Sequence, residues 1–305
     1  MTDYPLISVI TPSLNRVRLI GDAVDSVLQQ RYPNYEHIVV DGGSTDGTLD
    51  SLKRYPYLRV ISGPDNGMYD AINKGLACAT GDLIGLLNTD DLYAADAFTR
   101  VARCCRANPG VTAIFGDATT FDGDGMSAEK SLGRVANGRG NRFDFGAFDT
   151  GFQINACFLA RSVYQAIGGY DPRYRIVGDL DFLLRLAVYA PPSAHTGSVL
   201  YHLRMHPGSL TFGGSMGGLQ RRLAEEIDLW RAALARPDLP APGRRYCRRG
   251  CGNACFTLMA WHAGQGEWTE ASRWARAGWR LAPGQMTQRL WEWAGIRLQR
   301  ATGGR

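Results

Sequence analysis

The sequence predicts an α/β domain with a largely parallel sheet, followed by a small α-helical module. Four short runs rich in β-branched residues or leucine occupy residues 6–11, 35–41, 58–62 and 83–87. The segments between these runs are long enough to hold helices. This alternation is typical of strand–helix–strand units that build a parallel sheet.

The C-terminal third differs sharply in composition from the rest of the chain. From residue 214 onward, fifteen arginines stand against seven acidic residues, a net charge of +8, whereas the first 213 residues carry −3. All seven tryptophans also lie in this part. Because the change follows a glycine-rich segment, we expect an α/β domain over 1–213 and a helical extension over 219–305.

Composition indicates a soluble globular protein in the cytoplasm. Hydrophobic residues make up 45% of the chain, no apolar run approaches the ~18 residues that span a bilayer, and the first residues carry no basic leader. Seven cysteines without a CxxC pair predict reduced thiols. Cys247, Cys251 and Cys255 recur every four residues, and packing on one side of a helix is favoured over a metal site.

The predicted strands end in small and polar residues. Thr11, Pro12 and Asn15 end the first run, and Asp41 and Gly43 end the second. Such residues let a ligand approach the backbone, and open α/β sheets bind ligands at the carboxyl ends of their strands.

The fourth run delivers carboxylates to the same edge, where Asp90 and Asp91 follow it, and Asp179 precedes a later apolar helix pattern. No GxGxxG follows the first run and no GxxxxGK[ST] occurs anywhere, so the phosphate cradles of dinucleotide oxidoreductases and P-loop enzymes are lacking.

Five segments, in this order and spacing, resemble the family 2 inverting glycosyltransferases of the GT-A fold. They are ISVITPSLNR, YEHIVVDGGSTDGT, SGPDNGMYDAINKGLACATGDLIGLLNTDD, IGGYDPRYRIVGDLDFLLRL and RMHPGSLT. The resemblance covers roughly the first two thirds of the chain. It implies a Rossmann-like GT-A domain that transfers a sugar from a nucleotide-diphosphate sugar.

The resemblance implies how the leaving pyrophosphate is held. Asp90 is expected to bind a divalent metal, Mn²⁺ or Mg²⁺, since one or two carboxylates suffice when phosphate oxygens and waters complete the shell. Asn88 stands where the family has the first aspartate of the DxD motif, and its amide can still bind a ribose hydroxyl. Thr89, between Asn88 and Asp90, is the middle residue of the motif. His206 is expected to close over the pyrophosphate and to bind the metal.

Nucleotide contacts are also implied by the resemblance. Asp41 corresponds to an aspartate that accepts a hydrogen bond from a uracil imide, which favours a UDP-sugar. The other expected nucleotide-sugar contacts are Thr11, Pro12, Asn15, Gly43, Asp70 and Lys74. Asp70 and Lys74 are spaced i, i+4, so a plain helix-surface salt bridge is the alternative.

Asp179 corresponds to the general base, and the chain has Gly178 where the family often has glutamate. The alternative is that Asp179 complements the dipole of the helix it begins. Asp91 and Asp181 are further candidates. Asp91 alternatively caps a helix beginning near Tyr93, and Asp181 alternatively belongs to the first turn of its helix.

The tail resembles one tetratricopeptide unit, with a first helix over 254–264 and with Ala271 and Pro283 twelve residues apart in the second. An apolar stripe at helical spacing precedes it: Leu219, Leu223, Ile227, Trp230 and Leu234. Residues 290–300 mix tryptophan with arginine, as interfacial helices do, so a peripheral membrane contact stands beside intramolecular packing. No stacking motif indicates nucleic acid.

The expected activity is metal-dependent, inverting transfer of a sugar from a nucleotide-diphosphate sugar to a hydroxyl of a glycan or lipid-linked saccharide. The expected location is the cytoplasm, with a peripheral position at the inner face of the cell membrane as the alternative. Residues 116–153 are expected to face the acceptor. Two alternatives stay open: a GT-A scaffold that has lost catalysis and acts as an interaction module, and a transferase to polyprenyl phosphate, which needs no base.

Overall fold

The computed structural model describes residues 4–122, 131–135, 145, 152–206 and 216–302. The strands are β1 Ile7–Ser13, β2 Tyr35–Asp41, β3 Arg59–Ser62, β4 Leu83–Leu86, β5 Leu92–Tyr93, β6 Ala113–Asp122, β7 Ser131–Val135, β8 Cys157–Ala160 and β9 Ser193–Met205. The helices are α1 Ile20–Leu28, α2 Thr48–Leu52, α3 Met68–Cys78, α4 Ala97–Ala107, α5 Arg161–Ile167, α6 Gly178–Tyr189, α7 Met216–Ala235, α8 Ala241–Gly264, α9 Trp268–Leu281 and α10 Pro283–Thr302.

The chain divides into two compact units, residues 1–213 and residues 214–305. The first unit holds all the described strands and helices α1 to α6, and the second holds helices α7 to α10. The predicted class, an α/β domain followed by a helical tail, is therefore confirmed.

One sheet organises the first unit, in the order β3-β2-β1-β4-β8-β6-β9-β5, with β7 paired to β6. The pairs β1–β2, β1–β4, β2–β3 and β6–β9 are parallel, whereas β8, β5 and β7 pair antiparallel to their neighbours. Because β8 is antiparallel to both of its neighbours, β4 and β6, the strands β6 and β9 run in the same direction as β1 to β4. Their carboxyl ends therefore meet at one edge.

The four predicted strands form the parallel half of this sheet, within two residues of the predicted ends. Ile7, Val9 and Ile10 of β1 are fully buried, as expected for a central strand covered on both faces. On one face, Ile20 and Val24 of α1 pack with Val39 and Leu52 in a fully buried cluster.

The second unit is a set of packed helices. Leu223, Ile227 and Trp230 of the predicted stripe are buried on α7. Helix α8 begins at Ala241, thirteen residues before the predicted start of 254, because Pro242 is tolerated in a first turn whose N–H groups need no helical partner. The three cysteines spaced by four are fully buried on α8, as packing predicts.

Two glycines let helices of the second unit approach closely. A Cβ on Gly250 of α8 would lie 2.8 Å from the Trp230 indole, and one on Gly278 of α9 would lie 2.5 Å from Met286 Sδ. Within the part of the chain that the structure describes, no helix has the length and hydropathy needed to cross a membrane.

Candidate active site

Two residues distant in sequence meet where β4 and β9 end. His206 lies one residue beyond β9, and Asp90 lies in the loop after β4. His206 Nε2 is 3.0 Å from Asp90 Oδ2, and both side chains are about four-fifths buried. The contact forms because β4 and β9 run in the same direction, so both strands end at the same edge of the sheet.

Asp91 has a different environment from its neighbour. It is almost fully buried and accepts hydrogen bonds from the Tyr201 hydroxyl at 3.0 Å, the Asn88 amide at 3.1 Å and the Arg204 backbone N–H at 2.8 Å. Burial, followed by the charge of Asp90, raises the pKa of Asp91. The idea that Asp91 caps a helix near Tyr93 is wrong, because β5 occupies that position and α4 begins at Ala97. Asp91 instead joins the loop to β9.

Arg204 completes this junction from inside the protein. Its buried guanidinium donates from Nε to the Asp90 carbonyl at 2.9 Å and from Nη2 to Asp22 Oδ2 of α1 at 2.8 Å. The guanidinium carbon also lies 4.8 Å from the centre of the Phe121 ring. These contacts fix the backbone of Asp90 and leave its side chain directed to His206.

The exits of β1 and β2 are hydrogen-bonded to each other. The backbone N–H of Asn15 donates to Ser44 Oγ at 2.7 Å, and Asn15 Oδ1 accepts from the Thr45 N–H at 2.9 Å. Asn15 adopts φ 54°, a left-handed conformation that asparagine tolerates. The predicted residues Asn15 and Gly43 are thus exposed on a braced double loop.

Thr11 and Asp41 lie at the same edge of the sheet and are both fully buried. Thr11 Oγ1 lies 2.9 Å from His37 Nε2, and the Asp41 carboxylate accepts from the N–H groups of Gly43 and Ser44 and from the hydroxyl of Ser62. Asp41 therefore holds its own turn. Pro12 is also buried in β1, in register with Val40.

Asp70 and Lys74 form the i, i+4 pair that the sequence allowed, with 3.3 Å between Nζ and Oδ2. They also brace the loop that precedes α3. Asp70 Oδ2 accepts from the Asn66 N–H at 2.9 Å, which is the main cause of the lowered pKa of Asp70, and Lys74 Nζ donates to the Pro64 carbonyl at 2.8 Å.

Asp179 lies exposed in the first turn of α6 and contacts α3 through a tyrosine. The Tyr69 hydroxyl is 3.4 Å from Asp179 Oδ1 and donates to the Ile176 carbonyl at 3.0 Å. A Cβ on Gly178 would lie 2.7 Å from the Tyr69 ring, so a larger residue there needs that ring to move. The glycine at 178 thus makes room for Tyr69. Because α3 follows the end of β3, Tyr69 brings Asp179 to the edge of the sheet where the parallel strands end.

Asp181 is engaged elsewhere. Its carboxylate pairs with Arg185 at 2.8 Å, four residues along α6. Arg185 in turn donates to the carbonyls of Ile167 and Gly169. This ion pair ties α6 to the end of α5, which is a structural task.

The donor set at Asp90 and His206 suits a divalent cation. Carboxylate oxygen and imidazole nitrogen at 3.0 Å are ligands that manganese accepts, whereas magnesium prefers oxygen. Among the described residues no group of three or more metal-binding side chains occurs, so a cation held by this pair would need phosphate oxygens and water for its other positions. Asn88 brings no charge, and its amide donates to Asp91.

Sequence reasoning missed four residues that hold this site: Tyr69, Tyr201, Arg204 and Asp22. Arg204 carried one usable signal, since an arginine in a strand that also contains Leu200 and Tyr201 needs a buried acidic partner. That partner, Asp22, lies 182 residues away in the sequence, so no local pattern identifies it. Most of the expected acceptor-side segment, 116–153, falls outside the described residues.

Comparison with known proteins gives one family. The family model described as "Glycosyl transferase family 2" matches residues 8–167. A PGL/p-HBAD biosynthesis glycosyltransferase of Mycobacterium bovis is 34% identical over 194 residues, which are 59% of this chain and 69% of the relative. The putative teichuronic acid biosynthesis glycosyltransferase TuaG of Bacillus subtilis is 37% identical over 134 residues, 40% of this chain and 53% of that protein.

Solved structures share the fold at low identity. TarS of S. aureus, residues 1–349 in complex with UDP-GlcNAc, superposes with a TM-score of 0.64 at 15% identity, covering 89% of this chain and 81% of that one. This chain spans 42% of the TarS chain in another of its structures. The mannosyltransferase PcManGT of Pyrobaculum calidifontis, in complex with GDP-Man and Mn²⁺, gives 0.57 at 19% identity, covering 99% and 88%.

Proposed function

This chain belongs to glycosyl transferase family 2. We propose that it transfers a sugar, with inversion, from a nucleotide-diphosphate sugar to a hydroxyl of a glycan or lipid-linked saccharide. The observation that carries the proposal is the pairing of Asp90 with His206 at the sheet edge to which Tyr69 also brings Asp179. A leaving-group site and a base are thereby available at one edge.

The Asp90–His206 pair is assigned to the pyrophosphate. A divalent cation held there, when bound, supplies positive charge that stabilises the departing diphosphate. The imidazole of His206 can donate a hydrogen bond to a phosphate oxygen. Arg204 and Asp91 keep the Asp90 backbone in place and do not reach the donor, because both are buried.

Asp179 is assigned as the general base. Its carboxylate takes the proton of the acceptor hydroxyl, the freed oxygen forms a bond to the anomeric carbon, and the bond from that carbon to the pyrophosphate oxygen breaks. Attack from the face opposite the leaving group inverts the configuration. A solvent-exposed carboxylate at the start of a helix suits this role.

We infer a UDP-sugar donor and an acceptor in polysaccharide or glycolipid synthesis. TarS was solved with UDP-GlcNAc, while PcManGT was solved with GDP-Man, so the fold accepts either nucleotide. The UDP-sugar rests on the family resemblance at Asp41, whose carboxylate is expected to accept a hydrogen bond from a uracil imide; in the structure this carboxylate is buried and holds the turn at Gly43. The printed names of the mycobacterial and Bacillus relatives concern PGL/p-HBAD and teichuronic acid biosynthesis, and both support such an acceptor.

The first test is a thermal-shift screen of UDP, GDP, dTDP and CMP with and without Mn²⁺, on the wild type and on Asp90→Ala. A ligand at a hundred times its Kd stabilises the folded state by about 2.7 kcal/mol. A Mn²⁺-dependent shift with UDP that Asp90→Ala loses supports the proposal. If no nucleotide shifts the melting temperature, the inactive-scaffold alternative replaces it.

A further inference from the structure

Helix α9 exposes a face that the proposed chemistry does not use. This face, called here the α9 outer face, consists of Trp268, Ser272, Arg273, Arg276, Trp279 and Arg280, all exposed to solvent. Trp268 is 70% exposed and Trp279 is 45% exposed, values unusual for the largest apolar side chain. The buried residues Ala271 and Gly278 lie roughly 60–100° around the helix from the two tryptophans, and roughly opposite Arg280.

The two tryptophans lie on one line along the helix. A spacing of eleven residues is almost three full turns at 3.6 residues per turn, so both indoles point in nearly the same direction. Arg276 and Arg280 both lie on one side of that line, roughly 60° and 100° around the helix from Trp279. Helices with indoles on one edge and arginines beside them lie in the interfacial region of bilayers, where the ring sits among headgroups and the guanidinium meets lipid phosphates.

The charge of this face indicates the kind of partner. Among the described residues, Arg276 and Arg280 have no carboxylate within 4.0 Å, whereas Arg273 pairs with Glu270 at 3.3 Å. The unit that carries the helix has a net charge of +8. A cationic surface with projecting indoles is complementary to an anionic, partly apolar surface, which a bilayer with acidic headgroups provides.

We propose that the α9 outer face docks on the surface of a bilayer that contains anionic lipid. Trp268 and Trp279 enter the headgroup region, and Arg276 and Arg280 bind the phosphates. The docking needs neither nucleotide nor metal, so it stands or falls separately from the proposed transferase activity.

The test is co-sedimentation of the full chain with vesicles of phosphatidylcholine containing 30% phosphatidylglycerol, and with vesicles of phosphatidylcholine alone. We expect binding only to the anionic vesicles. Trp268→Ala/Trp279→Ala should weaken it by roughly tenfold or more, because two indoles lose their apolar burial. Arg276→Gln/Arg280→Gln should also weaken it roughly tenfold or more, since each cation contributes near an anionic surface.

Matched controls separate a defined face from general attraction. Arg245→Gln/Arg248→Gln removes the same charge from exposed positions of α8, and Tyr189→Ala removes an aromatic residue that is 45% exposed in the first unit. Both controls should bind like the wild type, and all variants should keep the wild-type melting temperature. Equal weakening by both arginine pairs, or full binding by the double tryptophan variant, overturns the proposal in favour of general polyanion attraction. Failure of the wild type to bind anionic vesicles overturns it as well.

Discussion

His206 Nε2 lies 3.0 Å from Asp90 Oδ2, although 116 positions separate the two residues. The contact forms because β9 returns to the sheet in the same direction as β4. It places an imidazole and a carboxylate together at the edge where the family's donor is expected to bind.

Replacing Asp90 by alanine should abolish Mn²⁺-dependent nucleotide binding and lower the transfer rate by about 100-fold or more, since a preorganised charge at the leaving group is lost. Nucleotide binding is measured by thermal shift and transfer by release of nucleoside diphosphate. The control is Asp50→Ala, which removes a carboxylate from the exposed Lys53 pair on α2. An Asp90→Ala enzyme with unchanged metal dependence would place the cation elsewhere.

Replacing Asp179 by asparagine should lower kcat by about 100-fold or more while leaving nucleotide binding intact, because the amide keeps the shape but cannot take a proton. Steady-state kinetics with the acceptor measures the loss. Asp171→Asn, which alters a carboxylate paired with the exposed Arg173, serves as control. If Asp179→Asn keeps most of the rate, an already anionic acceptor such as polyprenyl phosphate explains the result.

Replacing Tyr69 by phenylalanine should lower kcat by about tenfold at unchanged donor KM, because the hydroxyl near Asp179 and the Ile176 carbonyl is lost while the ring remains. The matched control is Tyr170→Phe. Its ring stacks 5.5 Å from that of Tyr69, and its buried hydroxyl has no hydrogen-bond partner in the described structure. Similar kinetics for the two variants would argue against a positioning role for Tyr69.

Replacing Arg204 by alanine should destabilise the first unit by about 3–5 kcal/mol, because Asp22 and the Asp90 carbonyl lose a buried cationic donor. Urea denaturation measures the change in the free energy of unfolding. The comparison is Arg173→Ala, which breaks an ion pair whose arginine side chain is 82% exposed and should therefore destabilise the protein far less than Arg204→Ala. Equal losses in the two variants would contradict this account of the junction.

His37 should make the fold sensitive to acid. Burial lowers the pKa of His37 to about 3, whereas an unfolded histidine titrates near 6.5. Between these values the unfolded chain binds a proton that the folded chain does not, so stability falls as the pH falls from about 6.5 towards 3. The contribution is on the order of 1 kcal/mol per pH unit.

This acid sensitivity is measured by comparing wild type with His37→Gln in urea at pH 6.5 and pH 4. Glutamine can still reach the Thr11 hydroxyl but does not titrate in this range. The variant should lose less stability on acidification than the wild type. Parallel losses would show that His37 binds a proton as readily in the folded chain as in the unfolded chain, which would contradict the lowered pKa.

Local sequence patterns were sufficient to predict the parallel strands of the sheet. Strands β1 to β4 and the carboxyl-terminal positions of Asp41 and Asp90 could be read from short apolar runs and the polar residues after them, because burial in a parallel sheet imposes that pattern on neighbouring residues. The strands after residue 90 were not predicted. The two-residue β5 and the long β9, which alternates between buried and partly exposed positions, carry weaker signals.

The α/β class, the parallel strands, the helical tail and the candidate carboxylates Asp90 and Asp179 could all be identified from the order of residues. The contacts that hold the site could be identified only from the folded chain: His206 with Asp90, Tyr69 with Asp179, Asp22 with Arg204, and the internal hydrogen bonds of Asp91 and Asp181. The difference is one of separation along the chain. Hydrophobic periodicity reflects contacts a few residues apart, whereas most of these pairs span more than a hundred residues and exist only because sheet direction and helix packing bring distant strand and helix ends together.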